Sequence, residues 1–89
     1  MATSIRDLKK DINYVIGDII EAIYIWEYTH PDADKKKSDA LIDEAIELFD
    51  DLIAKVNDKS VENRKTHLKS VNQELENRGR KLIEKLNKL

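Results

Sequence analysis

Six carboxylates in the middle of the chain are the first candidates for chemistry. They recur at helical spacing: Asp39, Asp43, Glu47 and Asp50, with Glu44 and Asp51 on the flank. Carboxylate oxygens are the ligands that Ca²⁺ and Mg²⁺ prefer. Di-metal helical bundles, however, direct such acids inward from facing helices, whereas these lie opposite the apolar side of their own segment. The pattern therefore predicts a solvated acidic face and no metal site.

The histidines and serines are better explained as structural groups than as catalysts. His30 precedes the only proline and is expected to cap a helix C-terminus. His67 has Asn63 one turn before it and Glu74 two turns after it, which is no three-ligand set for zinc and no oriented base. Ser4, Ser38 and Ser60 suit helix N-caps. The chain contains no Cys, which excludes a thiol nucleophile and a thiolate metal site. Because it also shows no Gly-rich phosphate loop, metal triad or nucleophile elbow, we predict no catalytic residue and no cofactor.

Charge is unevenly distributed along the chain, although the formal net charge is only −2. Residues 38–58 hold one basic and seven acidic side chains, and residues 59–89 hold nine basic and four acidic ones. Two such segments would attract each other as antiparallel neighbours in one fold; a basic face for an acidic partner is the alternative. The bases do not form one stripe, and no aromatic side chains are interleaved for stacking on bases. We therefore expect no nucleic-acid partner.

One side of the first predicted helix carries the candidate interaction residues. We call this set the tyrosine face: Tyr14, Gly17, Glu21, Tyr24, Ile25 and Tyr28. Tyrosine is enriched at interfaces because it combines a large apolar area with a polar tip. Gly17 costs about 1 kcal/mol relative to Ala in a helix interior, a cost that close approach by another helix would offset. The alternative is that tyrosines lie singly on many surfaces.

The positioning element is a helix predicted at about residues 5–29. Its apolar stripe has the spacing 3-4-3-4-3-4, which only a helix aligns on one side: Ile5, Leu8, Ile12, Val15, Ile19, Ala22 and Trp26. Ile16 and Ile23 widen this stripe. Ser4 and Asp7 favour the helix start, and Pro31 favours its end at Thr29.

Two further helices are predicted at about residues 38–57 and 61–88. Asp32, Asp34 and Ser38 compete as the cap of the second helix, with a late start at Ser38 favoured, and Ser60 is the expected cap of the third. The second helix has the widest apolar side, which suggests a position between the other two. The fold class is therefore all-α, an antiparallel up-down-up three-helix bundle in a single domain over residues 1–89, with self-association as an option. Gly79 is expected about one turn from Trp26, where its missing side chain would make room for the indole.

The overall composition is typical of small all-helical bacterial proteins. No stretch resembles a signal peptide or a membrane span, so we expect a soluble cytoplasmic protein without a membrane partner. The favoured function is a non-enzymatic interaction module that binds itself or another protein through the tyrosine face. The alternative is a small-molecule or metal binder that uses a gap near Trp26, Tyr28 and Gly79.

Overall fold

The computed structural model of the chain describes residues 4–89 and contains three helices in that range. They are α1 (Ile5–Thr29), α2 (Lys36–Asn57) and α3 (Arg64–Asn87). Each helix packs against both of the others, so the predicted all-α three-helix bundle is confirmed. Because all three pairs touch, α2 is not placed between the other two as its wide apolar side had suggested.

Ion pairs between helices give the direction of α2 and α3. Lys55 contacts Glu74, Asp51 contacts Arg78 and Glu44 contacts Lys85, at 2.7, 3.3 and 2.8 Å. Along these three pairs the residue number decreases in α2 as it increases in α3, so the two helices are antiparallel. The bundle measures 50 × 20 × 17 Å. Two of the pairs join the acidic middle segment to the basic last segment, which supports the predicted internal charge complementarity.

The bounds of α1 agree with the sequence prediction because strong local signals fix both ends. The Ser4 hydroxyl accepts a hydrogen bond from the Asp7 backbone N–H at 3.2 Å, as an N-cap does. At the other end the helix stops before His30 and Pro31, where proline removes a donor and restricts its neighbour.

The predicted starts of α2 and α3 are wrong by a few residues. The α2 helix begins at Lys36, where the Asp34 carboxylate accepts the Lys36 N–H at 2.9 Å. The α3 helix begins at Arg64, capped by Asn63, whose side chain accepts the Thr66 N–H at 3.1 Å. Ser60 does not cap α3 because it lies three residues before the N-cap position; its N–H and hydroxyl donate to Asp58 instead, an arrangement typical of an Asx turn.

Fourteen apolar side chains form one buried core along the bundle axis. From α1 come Leu8, Ile12, Ile16, Ile19 and Ile23; from α2 Leu41, Ala45, Leu48, Leu52 and Val56; from α3 Leu68, Val71, Leu75 and Leu82. The α1 contribution is centred on Ile16 and Ile23, which the sequence pattern placed at the edge. Val15 is 36% exposed and Trp26 is only half-buried, since α1 is rotated toward α2 relative to the predicted stripe.

The register of α1 against α3 differs from the prediction by about two helical turns. A Cβ on Gly79 would lie 3.6 Å from Val15 Cγ1 and 3.8 Å from Ile19 Cδ1. Gly79 therefore faces the middle of α1 and does not make room for Trp26. The late start of α3 contributes to this shift, because it moves each later residue of the helix along the bundle.

Candidate functional site

The tyrosine face lies on the exposed side of α1, opposite the core. Tyr14 is 61% exposed, Tyr24 55%, Ile25 56% and Tyr28 86%. Gly17 and Glu21 are also exposed. The structure thus places all six residues of the predicted face toward solvent on one helix.

A second heptad pattern runs along this side and extends beyond the predicted face. We call it the outer seam; its positions follow the spacing 3-4-3-4-3-4 and are Asp7, Lys10, Tyr14, Gly17, Glu21, Tyr24 and Tyr28. Such spacing keeps one line of side chains facing a partner helix. The Lys10 ammonium lies 5.9 Å from the centre of the Tyr14 ring, within cation–π range. Sequence reasoning missed Asp7 and Lys10, although the heptad spacing itself would have identified them.

Gly17 has open space where a side chain would lie. A Cβ placed there would have no neighbour within 4 Å, and neither glycine has a positive φ. Gly17 lines a groove of about 240 Å³ between α1 and α2, together with Asn13, Ile16, Ile20, Ile46 and Phe49. The glycine therefore serves neither backbone conformation nor packing within the chain.

A larger groove of about 450 Å³ lies on the other flank of α1, against α3. Tyr14, Val15, Gly79 and Ile83 contribute to its walls, and charged side chains, among them Arg80, lie around it. Tyr14 thus stands between the outer seam and this groove. The predicted gap where Trp26, Tyr28 and Gly79 would meet is not formed, since Gly79 lies against Val15 and Ile19.

Both histidines make hydrogen bonds to helix-end carbonyl groups. The His30 ring stacks on Trp26 with centroids 4.6 Å apart, and its Nδ1 lies 2.9 Å from the Trp26 carbonyl oxygen. His30 is also the C-cap residue of α1, as predicted. His67 Nε2 lies 2.6 Å from the Lys55 carbonyl oxygen. A carbonyl oxygen only accepts, so Nε2 carries the proton and joins α3 to the last turn of α2.

Ser38 is buried and connects the end of α1 to the start of α2; it does not cap α2 because it already lies inside that helix. Its hydroxyl lies 2.6 Å from Glu27 Oε2 and 3.0 Å from the Lys35 carbonyl oxygen. Hydrogen bonds from Ser38 first, and then from Asp39, lower the pKa of Glu27. The hydrogen bond to Glu27 and desolvation raise the pKa of Asp39.

Glu27 and His30 have the Glu-x-x-His spacing of metal-binding helices. Glu27 is nevertheless directed to Ser38 and Asp39, whereas the His30 ring lies on Trp26. No group of three His, Cys, Asp or Glu side chains within residues 4–89 is arranged to hold a metal ion. The acidic residues of α2 are partly engaged with α3, through Glu44 and Asp51.

Comparison with known proteins adds no relative: no family model, no curated protein and no solved structure matches the chain. None of the helices in the described range has the length and apolar character needed to cross a membrane.

Proposed function

We propose that the protein is a cytoplasmic, non-enzymatic helical bundle that associates with protein through the tyrosine face of α1, in the first instance with a second copy of itself. Gly17 carries the proposal. A glycine inside a helix costs about 1 kcal/mol relative to Ala, and Gly17 meets neither a backbone need nor a neighbour within the chain. Close approach by a helix from another molecule would use the space that it leaves open.

The aromatic content of the face supports the same function. All three tyrosines of the chain lie here, and each leaves more than half of its side chain exposed. Burying an aromatic side chain gives a large hydrophobic gain, and the phenol keeps a polar group at the rim of an interface. Exposed Ile25 adds aliphatic area to the same side.

The size of the bundle also favours association. A single core in a chain below about 70–80 residues seldom supplies more than ~3–5 kcal/mol of net stability, and this chain of 89 residues is only slightly longer. A second copy packed on α1 would bury additional apolar surface in the folded state only, and would therefore raise the free energy of unfolding with the logarithm of protein concentration.

Sedimentation analysis of the double variant Tyr14→Ala/Tyr28→Ala beside the parent tests the proposal. We expect the parent to associate with rising concentration and the double variant to remain monomeric over the same range. The control is the double variant Lys69→Ala/Glu84→Ala, which truncates two exposed side chains of α3 outside the groove that Tyr14 lines and should associate like the parent.

Two results would contradict self-association through this face. One is a parent that remains monomeric at the highest concentration reached. The other is an oligomer that the double variant leaves intact. If a monomeric parent gained thermal stability from a metal ion or a metabolite, a ligand-binding function would replace the present one.

A further inference from the structure

We infer that two copies pair through their outer seams in antiparallel order, with Tyr14 of each copy lying over Gly17 of the other. The inference rests on the proposed self-association and adds its partner, direction and register. Its basis is the pattern of charge and side-chain size along the outer seam, which is self-complementary in one register.

The proposed register brings three complementary pairs together, each occurring twice because of the two-fold symmetry. When Tyr14 is placed opposite Gly17, Lys10 falls opposite Glu21, giving opposite charges across the interface. A further turn outward, Tyr24 falls opposite Asp7, whose carboxylate can accept the phenol hydrogen. The three pairs thus join a large side chain to a small one, a base to an acid, and a hydrogen-bond donor to an acceptor.

The surroundings of Gly17 suit an aromatic ring. Beside it, Ile20, Ile46 and Phe49 line the groove between α1 and α2, and Ile46 is an exposed apolar side chain. A Tyr14 ring from the second copy, turned away from the α3 flank that it lines in the single chain, would enter over the glycine and cover this apolar surface. Its hydroxyl would remain at the edge, next to Asn13.

The other arrangements of the same seam leave charges unmatched. A parallel pair would place Lys10 against Lys10 and Glu21 against Glu21, which is repulsive. An antiparallel pair shifted by one heptad would place Lys10 against Tyr28 and Glu21 against Gly17, so that Glu21 would have no cation opposite it. Larger shifts would shorten the overlap of α1 with its copy.

Two aspartates would oppose association in the proposed register, and removing one of them tests that register. Asp11 and Asp18 follow seam positions and would approach each other across the interface, twice per dimer. Like charges at such positions weaken pairing. We therefore expect Asp18→Asn to lower the dimer dissociation constant by about threefold, and a weaker dimer with this variant would contradict the register.

Charge reversal tests the pairing directly, with sedimentation as the measurement. Lys10→Glu and Glu21→Lys are each expected to raise the dimer dissociation constant about tenfold, since each change creates two like-charge contacts. The double variant Lys10→Glu/Glu21→Lys restores opposite charges and should return to within about threefold of the parent. The control Lys69→Glu/Glu84→Lys makes the same charge exchange on α3 and should have no effect.

The outcomes separate this inference from the proposed function. If the parent dimerises and the double charge exchange fails to rescue it, the register is wrong while self-association stands. If the parent is monomeric, self-association and the register fail together. Circular dichroism of each variant shows that the helices are retained, so that a loss of association is not a loss of folding.

Cross-linking gives a second measurement that does not depend on the strength of the ion pair. The chain has no native Cys, so Lys10→Cys and Glu21→Cys introduce single thiols. Mixing the two variants under mild oxidation should give a 10–21 disulfide faster than either variant alone gives its symmetric disulfide. Faster formation of the symmetric 10–10 product would indicate a parallel pair and overturn the inference.

Tyr14 and Tyr28 take different positions in the proposed register. Tyr14 lies at the centre, whereas Tyr28 lies beyond the overlap with the described part of the second helix. Tyr14→Ala should therefore raise the dissociation constant at least about tenfold, and Tyr28→Ala less than about threefold. The reverse order would favour the register shifted by one heptad.

Discussion

The two glycines of the chain both lie inside long helices, but their surroundings differ. Gly79 is buried, and a Cβ there would touch Val15 and Ile19 of α1. Gly17 is exposed, and a Cβ there would touch nothing. In the first case a Cβ would make ordinary van der Waals contact with α1, so only a side chain larger than that of alanine would be crowded. In the second the space is unfilled, which is why we assign it to a second molecule.

The comparison shows that a glycine in a helix can be interpreted only with knowledge of what faces it. Helix propensity imposes a similar cost at both positions, because it depends on the backbone of the helix itself. What differs is the neighbour that limits a larger side chain: α1 of the same chain at Gly79 and, in our proposal, a second molecule at Gly17. Substitutions at the two positions should therefore act on different properties of the protein.

The largest expected effect comes from filling the enclosed position. Gly79→Leu adds carbon atoms where Val15 and Ile19 are already at van der Waals distance from a Cβ, so we expect a loss of about 1–3 kcal/mol in the free energy of unfolding. Chemical denaturation at low protein concentration measures it. The matched control is Gly17→Leu, which should not destabilise the monomer. Equal losses in both variants would break the comparison.

A smaller effect with the opposite sign is expected at the open position. Gly17→Ala improves helix propensity without a steric cost, so the monomer should gain up to about 1 kcal/mol in the free energy of unfolding. The same methyl group would obstruct the position proposed for Tyr14 of the second copy, so the dimer dissociation constant should rise. Denaturation at low protein concentration measures the stability of the monomer, and sedimentation at high concentration measures association. Tighter association would contradict the role given to Gly17.

Gly79→Ala makes the same substitution at the buried glycine. The added methyl would make ordinary contacts of 3.6 and 3.8 Å, so we expect a gain of less than about 1 kcal/mol in the free energy of unfolding and unchanged association. Together with Gly17→Ala it forms a matched pair that differs only in position. If Gly79→Ala weakened association as strongly as Gly17→Ala, the effect would not be local to the outer seam.

The smallest effect concerns the intrachain contact between the end of α1 and α2. Because the pKa of Glu27 is lowered in the folded state, the stabilisation that it provides is present above its ordinary pKa of 4.5 and is lost as the pH falls through the lowered value. Glu27→Gln should therefore be slightly less stable than the parent at neutral pH, and the difference should vanish in acid. Thermal unfolding across this range measures it.

The raised pKa of Asp39 acts in the opposite direction. Its contribution is present in acid, below its ordinary value of 3.8, and is lost as the pH rises. A stability difference between parent and Glu27→Gln that grew toward low pH would contradict the assignment. Sedimentation of the same samples is the control. Because Glu27 lies off the outer seam, we expect Glu27→Gln to form dimers like the parent.

Much of the candidate site follows from the sequence, since the exposed side of a single helix depends on the angular positions of its residues around the axis. The heptad spacing from Ile5 onward indicates which side of α1 faces the core, and therefore that Tyr14, Tyr24 and Tyr28 face away from it. Val15 shows the limit of this reasoning. It occupies a perfect heptad position but is 36% exposed, because the rotation of α1 is set jointly by α2 and α3.

The sequence by itself determined the helical class, the bounds of α1 and the exposed side of its tyrosines, because periodicity and capping act over a few neighbouring residues. Only the tertiary structure decided the position of Gly79 against Val15, the burial of Ser38 beside Glu27, and the starts of α2 and α3. These depend on which side chains of different helices fit together, and a register between helices is fixed by packing that no local pattern specifies.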